Sequence, residues 1–556
     1  MYHQRNMAQS CCIPLSHAPK ATPLFLDYLY HYDRVAAFYS GPPQELSSFE
    51  KTAAAISGHY PHRAPLVEIL ERQNRAFGCG DATLANIRRL SDPGVFAAVS
   101  GQQVGLFSGP AFTLYKALTV VRVARTLTEK GLSCVPVFWL ATEDHDLEEV
   151  AKTAVLNEGG ERIEVEVRGD RPAPACSVGY VKLSAQVRDA LAAVEGALPE
   201  GDARDQIMRD LRECYAPGAG WGESFARFIA RLFGRFGVIL LNPLCAEFHG
   251  LARGVYSRAL EEAPRLRGLL GKRSSELTGA GYHAQVHVGA DSTLMFAAVG
   301  GNRTAVRLPG ESFNLDGRDS LSVPEMAAWV NSHPLDFTPS ALLRPIVQDA
   351  LLPTVAYIPG PSELAYFAQS QAIYAEFGRP MPVLYPRAGF TVADRHTQRL
   401  MEKYRLTLED LWRGEEHLRR RIAAVGVDEG AAGGQAGGWS GRMDRGEDDL
   451  KRFFDQLAGD VERIDPTLID ALRNAQEKMN YQVERLRGKI SRAALGRSEL
   501  LTRHEKTLMA HLMPGGNLQE RELSGINFLG RAGYGLLDDL LEQVQACCLD
   551  HQYFVS

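Results

Sequence analysis

The sequence predicts an α/β fold: a parallel sheet with crossover helices and inserted connecting segments, followed by an α-helical antiparallel coiled-coil arm. Three observations carry this reading. From about residue 94 to 387, short apolar runs closed by glycine alternate with amphipathic stretches, the texture of strands joined by helices. Beyond Arg387 the strand signal stops and apolar residues recur at heptad-like spacing, which keeps a seam against a partner helix. The 556 residues, 45% hydrophobic and 23% charged, exceed one domain of the usual ~100 to 200 residues and have the composition of an ordered chain.

The elements follow in order. Residues 24–60 and 64–90 read as a helical lead-in, with Leu24, Phe25, Tyr28 and Leu29 on one apolar face and Leu66, Ile69 and Leu70 on another. Five apolar runs, at 95–99, 134–141, 238–241, 354–358 and 383–385, are the expected strands of the sheet. Segments 155–220 and 265–335 contain alternating stretches such as 162–167 and 283–288 and read as insertions, so that 1–390 form one core. The arm spans 391–510. Its seam runs through Leu450, Phe454, Leu457, Val461 and Ile464, then Leu468, Leu472, Ala475, Met479, Val483, Leu486, Ile490 and Ala493. Between its limbs the glycine-rich tract 429–441 cannot bury enough apolar surface to order itself and is the expected flexible tip. Asp465 and Pro466 mark a break or kink, since proline cannot donate a helical hydrogen bond. Residues 511–556 regain Gly, Pro and Asn turn chemistry and are expected to return to the core.

Composition excludes several function classes. With 61 Lys and Arg against 67 Asp and Glu, the formal net charge is -6, which leaves no overall positive field for nucleic acid. The nine cysteines are odd in number and lack any CxxC pair, so neither a disulfide framework nor a structural zinc site is expected. The adjacent pairs Cys11–Cys12 and Cys547–Cys548 read as redox-active or as small apolar filler. The first twenty residues carry no secretory apolar run, and nowhere do ~18 apolar residues follow one another. A cytoplasmic protein without membrane contact is expected.

Three stretches carry candidate chemistry. The first, SGQQVGLFSGPAFTLYK at 100–116, runs from a strand through Gly101, Gly105 and Gly109 into a helix opened by Pro110. Amides at a helix start favour an anion, and Ser100, Gln102, Gln103, Ser108, Thr113 and Lys116 add polar groups. The glycine spacing matches neither the dinucleotide fingerprint nor Walker A, and a tight packing turn is the competing reading. The second, PVFWLATEDHDLEEV at 136–150, is an apolar strand that contains Trp139 and ends in Glu143, Asp144, His145 and Asp146. Ligands of open α/β sheets bind beyond the carboxyl ends of strands, and a carboxylate beside an imidazole supplies a general base. An acidic helix start favoured by the dipole is the alternative. The third stretch, 342–367, places Arg344, Gln348 and Asp349 before a strand that ends in Tyr357, Gly360, Ser362, Glu363 and Tyr366. Arg344 can grip a carboxylate and Glu363 an ammonium, or both can be structural ion pairs. His283, Gln285 and Arg387 are weaker candidates with the same ambiguity. No metal site is expected.

These stretches, with PMPVLYPRAG at 380–389 and PGGNLQER at 514–521, resemble the bacillithiol biosynthesis cysteine-adding enzymes, a family of cysteine ligases. The resemblance implies a Rossmann-like core, a coiled-coil arm used to form a homodimer, and addition of L-cysteine to glucosaminyl-malate. Amide formation needs an activated acid, so ATP or another nucleotide is the suspected cofactor. In that reaction Glu143 or His145 takes the amine proton, while Lys116 and the turn at 101–109 stabilise negative charge. The strand, glycine turn and helix are similar to a class I aminoacyl-tRNA synthetase core, but its HIGH signature is absent and GKRSS at 271–275 is a poor KMSKS. Two other readings keep the fold: a substrate-binding or scaffolding subunit that needs a partner enzyme, and a nucleotide-sugar transferase.

Overall fold

In a computed structural model, five parallel strands form the centre of the molecule. They are β1 (Phe96–Gln102), β2 (Cys134–Leu140), β3 (Ile239–Leu241), β4 (Thr354–Tyr357) and β5 (Val383–Leu384), one for each apolar run predicted from the sequence. The structure describes residues 11–56, 60–316, 318–430, 439–544 and 548–556. The spatial order is β5-β4-β1-β2-β3. The chain therefore steps one way from β1 to β3 and then crosses to the other side of β1 for β4, which makes the β1/β4 boundary a topological switch point. Every residue of β2 is buried, with Val135, Val137 and Trp139 in one apolar cluster and Phe138 and Leu140 in another. Burial on both faces is why this strand reads as a continuous apolar run.

Helix α1 (Phe112–Glu129) crosses from β1 to β2. The predicted insertions pack into the same apolar clusters as the sheet: Val165, Leu191 and Phe228 with Phe138 and Leu140, and Met295, Val306 and Phe337 with Val137 and Trp139. Between β2 and β3 lie the hairpin Lys152–Leu156/Arg162–Glu166 and three helices. Between β3 and β4 lie α2 (Ala246–Glu261) and a five-stranded antiparallel sheet that includes Ser292–Val299 and Asn302–Arg307. The chain then enters α3 (Arg344–Leu351), β4 and α4 (Pro361–Tyr374). The lead-in is helical but broken, with helices at Pro23–Tyr30, Leu46–Ile56, Arg63–Ala76 and Asp81–Arg89.

Several expectations are corrected. Segment 283–288 is not a strand. The Gln369 side chain takes the place of a neighbouring strand, accepting from Val286 N at 2.9 Å and donating to Val286 O at 2.9 Å. Strand structure also persists past Arg387. β6 (Gly389–Ala393) pairs in parallel with β7 (His551–Val555), and β7 pairs antiparallel with the N-terminal strand Cys11–Ile13.

The arm contains α5 (Glu415–Gly430), α6 (Trp439–Ile464) and α7 (Ile469–Gly496). α6 and α7 run antiparallel, tied by Arg487 to Asp444 and Glu447, each at 2.7 Å. Their reversal is at Asp465 to Leu468, where the Asp465 carboxylate accepts from Thr467 N and Pro466 opens a single 3₁₀ turn. The feature expected as a kink is therefore the hairpin's turn. Of the expected glycine-rich tip, 429–430 and 439–441 are helical and 431–438 lie outside the described residues. After the arm the chain packs back on the core. Leu156 N donates to Asn527 Oδ1 at 2.8 Å, and an Arg531 guanidinium nitrogen donates to Leu156 O at 2.6 Å.

Candidate active site

The carboxyl ends of β1, β2 and β4 open into one cavity of about 830 Å³ at the switch point, roofed by the antiparallel insertion sheet. Residues predicted from the sequence line it: Gly101, Gln102, Gln103, Lys116, Trp139, Glu143, Asp144, Arg344, Tyr357, Gly360, Ser362, Glu363, Tyr366 and Arg387. All three candidate stretches meet there. The strand order makes this unavoidable, because β1 is flanked by β2 on one side and β4 on the other.

One wall is acidic. Glu143 is buried and is pushed up to about 7 by that burial, which Arg303 and Arg344 only partly offset. Its Oε1 has no hydrogen-bond partner among the described residues and lies 3.5 Å from Nε2 of the buried His249 on α2, whose Nδ1 meets Tyr256 Oη at 3.1 Å. Burial lowers His249 to about 4, so its imidazole is neutral near pH 7. Gln103 Nε2 bridges Asp144 Oδ2 (2.9 Å) and Glu149 Oε2 (2.6 Å). His145 is half exposed at the rim, with Nδ1 at 3.2 Å from an Arg303 guanidinium nitrogen. Arg303 itself stacks 3.7 Å over Phe296 and bonds Thr338 and Pro339.

A second group of lining side chains is cationic. Arg344 lies over Trp139 and Tyr357 and, among the described residues, bonds only neutral oxygens: Gln348 Oε1 (3.0 Å), Tyr357 Oη (3.1 Å) and Tyr366 Oη (3.3 Å). Its charge is thus held in place without a carboxylate in direct contact. Arg387 pairs with Glu520 at 2.5 Å, both side chains buried, and Arg521 stands beside them on the cavity wall. Lys116 is buried and bonds Gly101 O (2.8 Å), Gln102 Oε1 (3.0 Å) and Glu363. Burial holds its ammonium below the ordinary lysine range, against the pull of Glu363. Burial acts to raise Glu363, but Lys116 and the Gly360 amide outweigh it and keep the carboxyl below its usual value. The ammonium that Glu363 was expected to hold is therefore Lys116.

The remaining predicted residues do not line the cavity. Gly105, Ser108, Gly109 and Thr113 form a packing turn: a Cβ on Gly105 would sit 2.7 Å from Gly109 Cα. Phe107 and Ser108 take positive φ there. Most amides at the start of α1 are already engaged: Ala111 N donates to Leu523 O (2.8 Å), Thr113 N to Pro110 O and Leu114 N to Ala111 O. Asp146 caps the short helix Leu147–Val150 by accepting from Glu149 N at 3.1 Å. The acidic cluster thus divides between the cavity and a helix start. Gln348 and Asp349 lie behind Arg344, and Gln348 Nε2 donates to Asp349 Oδ1 at 2.8 Å. His283 and Gln285 bond each other at 3.0 Å away from the cavity.

Sequence reasoning did not single out Arg303, Glu149, Phe296, His249, Glu520 or Arg521. Arg303 comes from a β-hairpin in an insertion, where no local motif marks it. Glu520 and Arg521 lie in PGGNLQER, a block that contributed to the resemblance without being assigned a role.

Comparison with known proteins agrees with this architecture. A family model described as "Bacillithiol biosynthesis BshC, N-terminal Rossmann-like domain" matches residues 9–388, and one described as "Bacillithiol biosynthesis BshC, C-terminal coiled-coil domain" matches 390–555. A protein of Solibacter usitatus named "Putative cysteine ligase BshC" is 36% identical, covering 98% of this chain and 99% of its own. Proteins with the same name from Koribacter versatilis and Salinibacter ruber are 35% and 32% identical, each over at least 95% of both chains. With a Rossmann-like sheet, a coiled-coil arm and relatives matched end to end, the chain belongs to the bacillithiol biosynthesis BshC family.

Proposed function

We propose that this protein is a cysteine ligase that joins the carboxyl carbon of L-cysteine to the amine of glucosaminyl-malate. The observation that carries the reading is that one cavity at the switch point is lined both by carboxylates, Glu143, Asp144 and Glu149, and by arginines, Arg344, Arg387 and Arg521. An amine fits beside Glu143 and Asp144. Carboxylates fit beside Arg344, Arg387 and Arg521, whose planar forks suit them. In the reaction the amine nitrogen forms the new C–N bond, one carboxyl oxygen of cysteine would leave on the phosphate or nucleotide that had activated it, and the amine's proton goes to a base. Glu143 is the base of this proposal: its carboxyl titrates at about 7 and its Oε1 is unpartnered. Arg344 replaces Lys116 as the group that stabilises negative charge, because Lys116 is already engaged by Glu363.

The glycine turn is a poor seat for the suspected nucleotide in this proposal, since the amides of Ala111, Thr113 and Leu114 are already engaged. No step is therefore routed through it. The arm exposes Phe453, Ile464, Leu468, Met479, Tyr481 and Leu486, and in this proposal two copies join through that face as a homodimer.

The test is a defined mixture of pure protein, L-cysteine, glucosaminyl-malate and ATP, followed by mass spectrometry for bacillithiol. Product in that mixture supports the ligase. Product only after addition of cell extract would favour a subunit that needs a partner enzyme.

A further inference from the structure

A pair of thiols that are not among the cavity's lining residues comes together between the N-terminal strand and the segment before β7. Cys12 lies on the N-terminal strand Cys11–Ile13, and Cys548 lies three residues before β7. Antiparallel pairing sets Cys12 opposite Gln552 and Ile13 opposite His551. The Cys548 thiol donates to Cys12 Sγ at 2.8 Å, across 536 residues of sequence. Tyr30 clamps the same two segments, since its hydroxyl accepts from Leu15 N at 2.8 Å and donates to Asp550 Oδ1 at 2.6 Å. The sulfurs are therefore held by backbone pairing and by a side-chain bridge, not by chance approach of loose ends. Cys12 is exposed and Cys548 partly so, which gives small oxidants access. In contrast, Cys134, Cys176 and Cys214 are buried.

From this juxtaposition we infer that Cys12 and Cys548 form a reversible dithiol/disulfide site that staples the first strand to the last. The oxidant class is a low-molecular-weight disulfide. The Cys12 thiolate attacks one sulfur of the small disulfide, forms a mixed disulfide and expels one small thiolate. The Cys548 thiolate then attacks Cys12 Sγ, closes the protein disulfide and expels the second. Two protein thiols and one small disulfide become one protein disulfide and two small thiols, with the protons shared between the released thiolates and water. The staple bears on the cavity wall through β7. His551 lies against Gly389, and the Glu520 carboxylate that pairs with Arg387 also accepts from Phe390 N at 3.1 Å. The inference rests on strand pairing and sulfur geometry and is independent of the ligase proposal.

The experiment exposes the full-length native protein to oxidised glutathione, blocks remaining thiols and maps tryptic peptides without reduction. The expected result is a linked peptide pair joining the Cys12 segment to the Cys548 segment, reversed by dithiothreitol. The Cys11→Ser/Cys547→Ser double variant must still form the link. Cys548→Ser must instead trap one glutathione on Cys12. Absence of the link in both native protein and double variant overturns the inference, and so does a link that requires Cys11 or Cys547.

Discussion

Glu143 sets the acid–base behaviour of the cavity. Because burial raises its carboxyl to about 7, the base form is depleted below that pH. Product formation is expected to rise with pH through about 7 and level off above it. Glu143→Gln should lower turnover by ~10² to 10⁴-fold and remove that limb from the pH profile. An unchanged profile in the variant would assign the base elsewhere. The same shift has a stability sign. A buried carboxyl whose folded value lies above its unfolded value costs stability once ionised. That cost is absent below about pH 4.5 and complete above about pH 7. Glu143→Gln should therefore raise the unfolding free energy more at pH 8 than at pH 5, by an amount on the order of 3 kcal/mol or less. The Arg387–Glu520 pair has the opposite lesson, because removing one partner strands the other: Glu520→Ala should cost about 3 to 5 kcal/mol in denaturant unfolding. At this scale the sequence marked side chains that follow strand ends, such as Glu143 and Tyr357. Arg303 was hidden, since it reaches the cavity from an inserted hairpin whose placement depends on tertiary packing.

Among elements, the glycine turn after β1 is the sharpest departure from expectation. Its sequence has the makings of an anion cradle, but Leu523, Ser524 and Gly525 cover it, with Gly525 N donating to Gly109 O and Ser524 Oγ to Phe107 O. A turn built for packing should fail by destabilisation. Gly105→Ala is expected to lower stability by about 1 to 3 kcal/mol while leaving the KM of the remaining folded enzyme unchanged. A large rise in KM with an unchanged Tm would restore the anion reading. The five central strands were legible because each is buried on both faces and so reads as an unbroken apolar run. β6 and β7 escaped notice for a physical reason: each paired residue lies 162 positions from its partner, as Gly389 does from His551, so no local pattern links the two strands.

For the whole molecule, heptad spacing revealed an arm but not how it folds. The same apolar pattern suits a reversal at the glycine tract or at Asp465 and Pro466, and only the antiparallel contacts of α6 with α7 choose between them. Apolar residues left exposed along that hairpin are the basis for the proposed homodimer. Changing Leu468, Met479 and Leu486 to charged residues should halve the mass measured by light scattering, and an unchanged mass would exclude that face as the contact. The central claim is that one cavity holds an amine against Glu143 and Asp144 and carboxylates against Arg344, Arg387 and Arg521. A crystal structure of the protein soaked with glucosaminyl-malate tests it most directly. The account predicts the sugar amine within hydrogen-bonding distance of Glu143 or Asp144 and the malate carboxylates on the arginine wall, whereas a ligand bound outside the cavity at the ends of β1, β2 and β4 would contradict it.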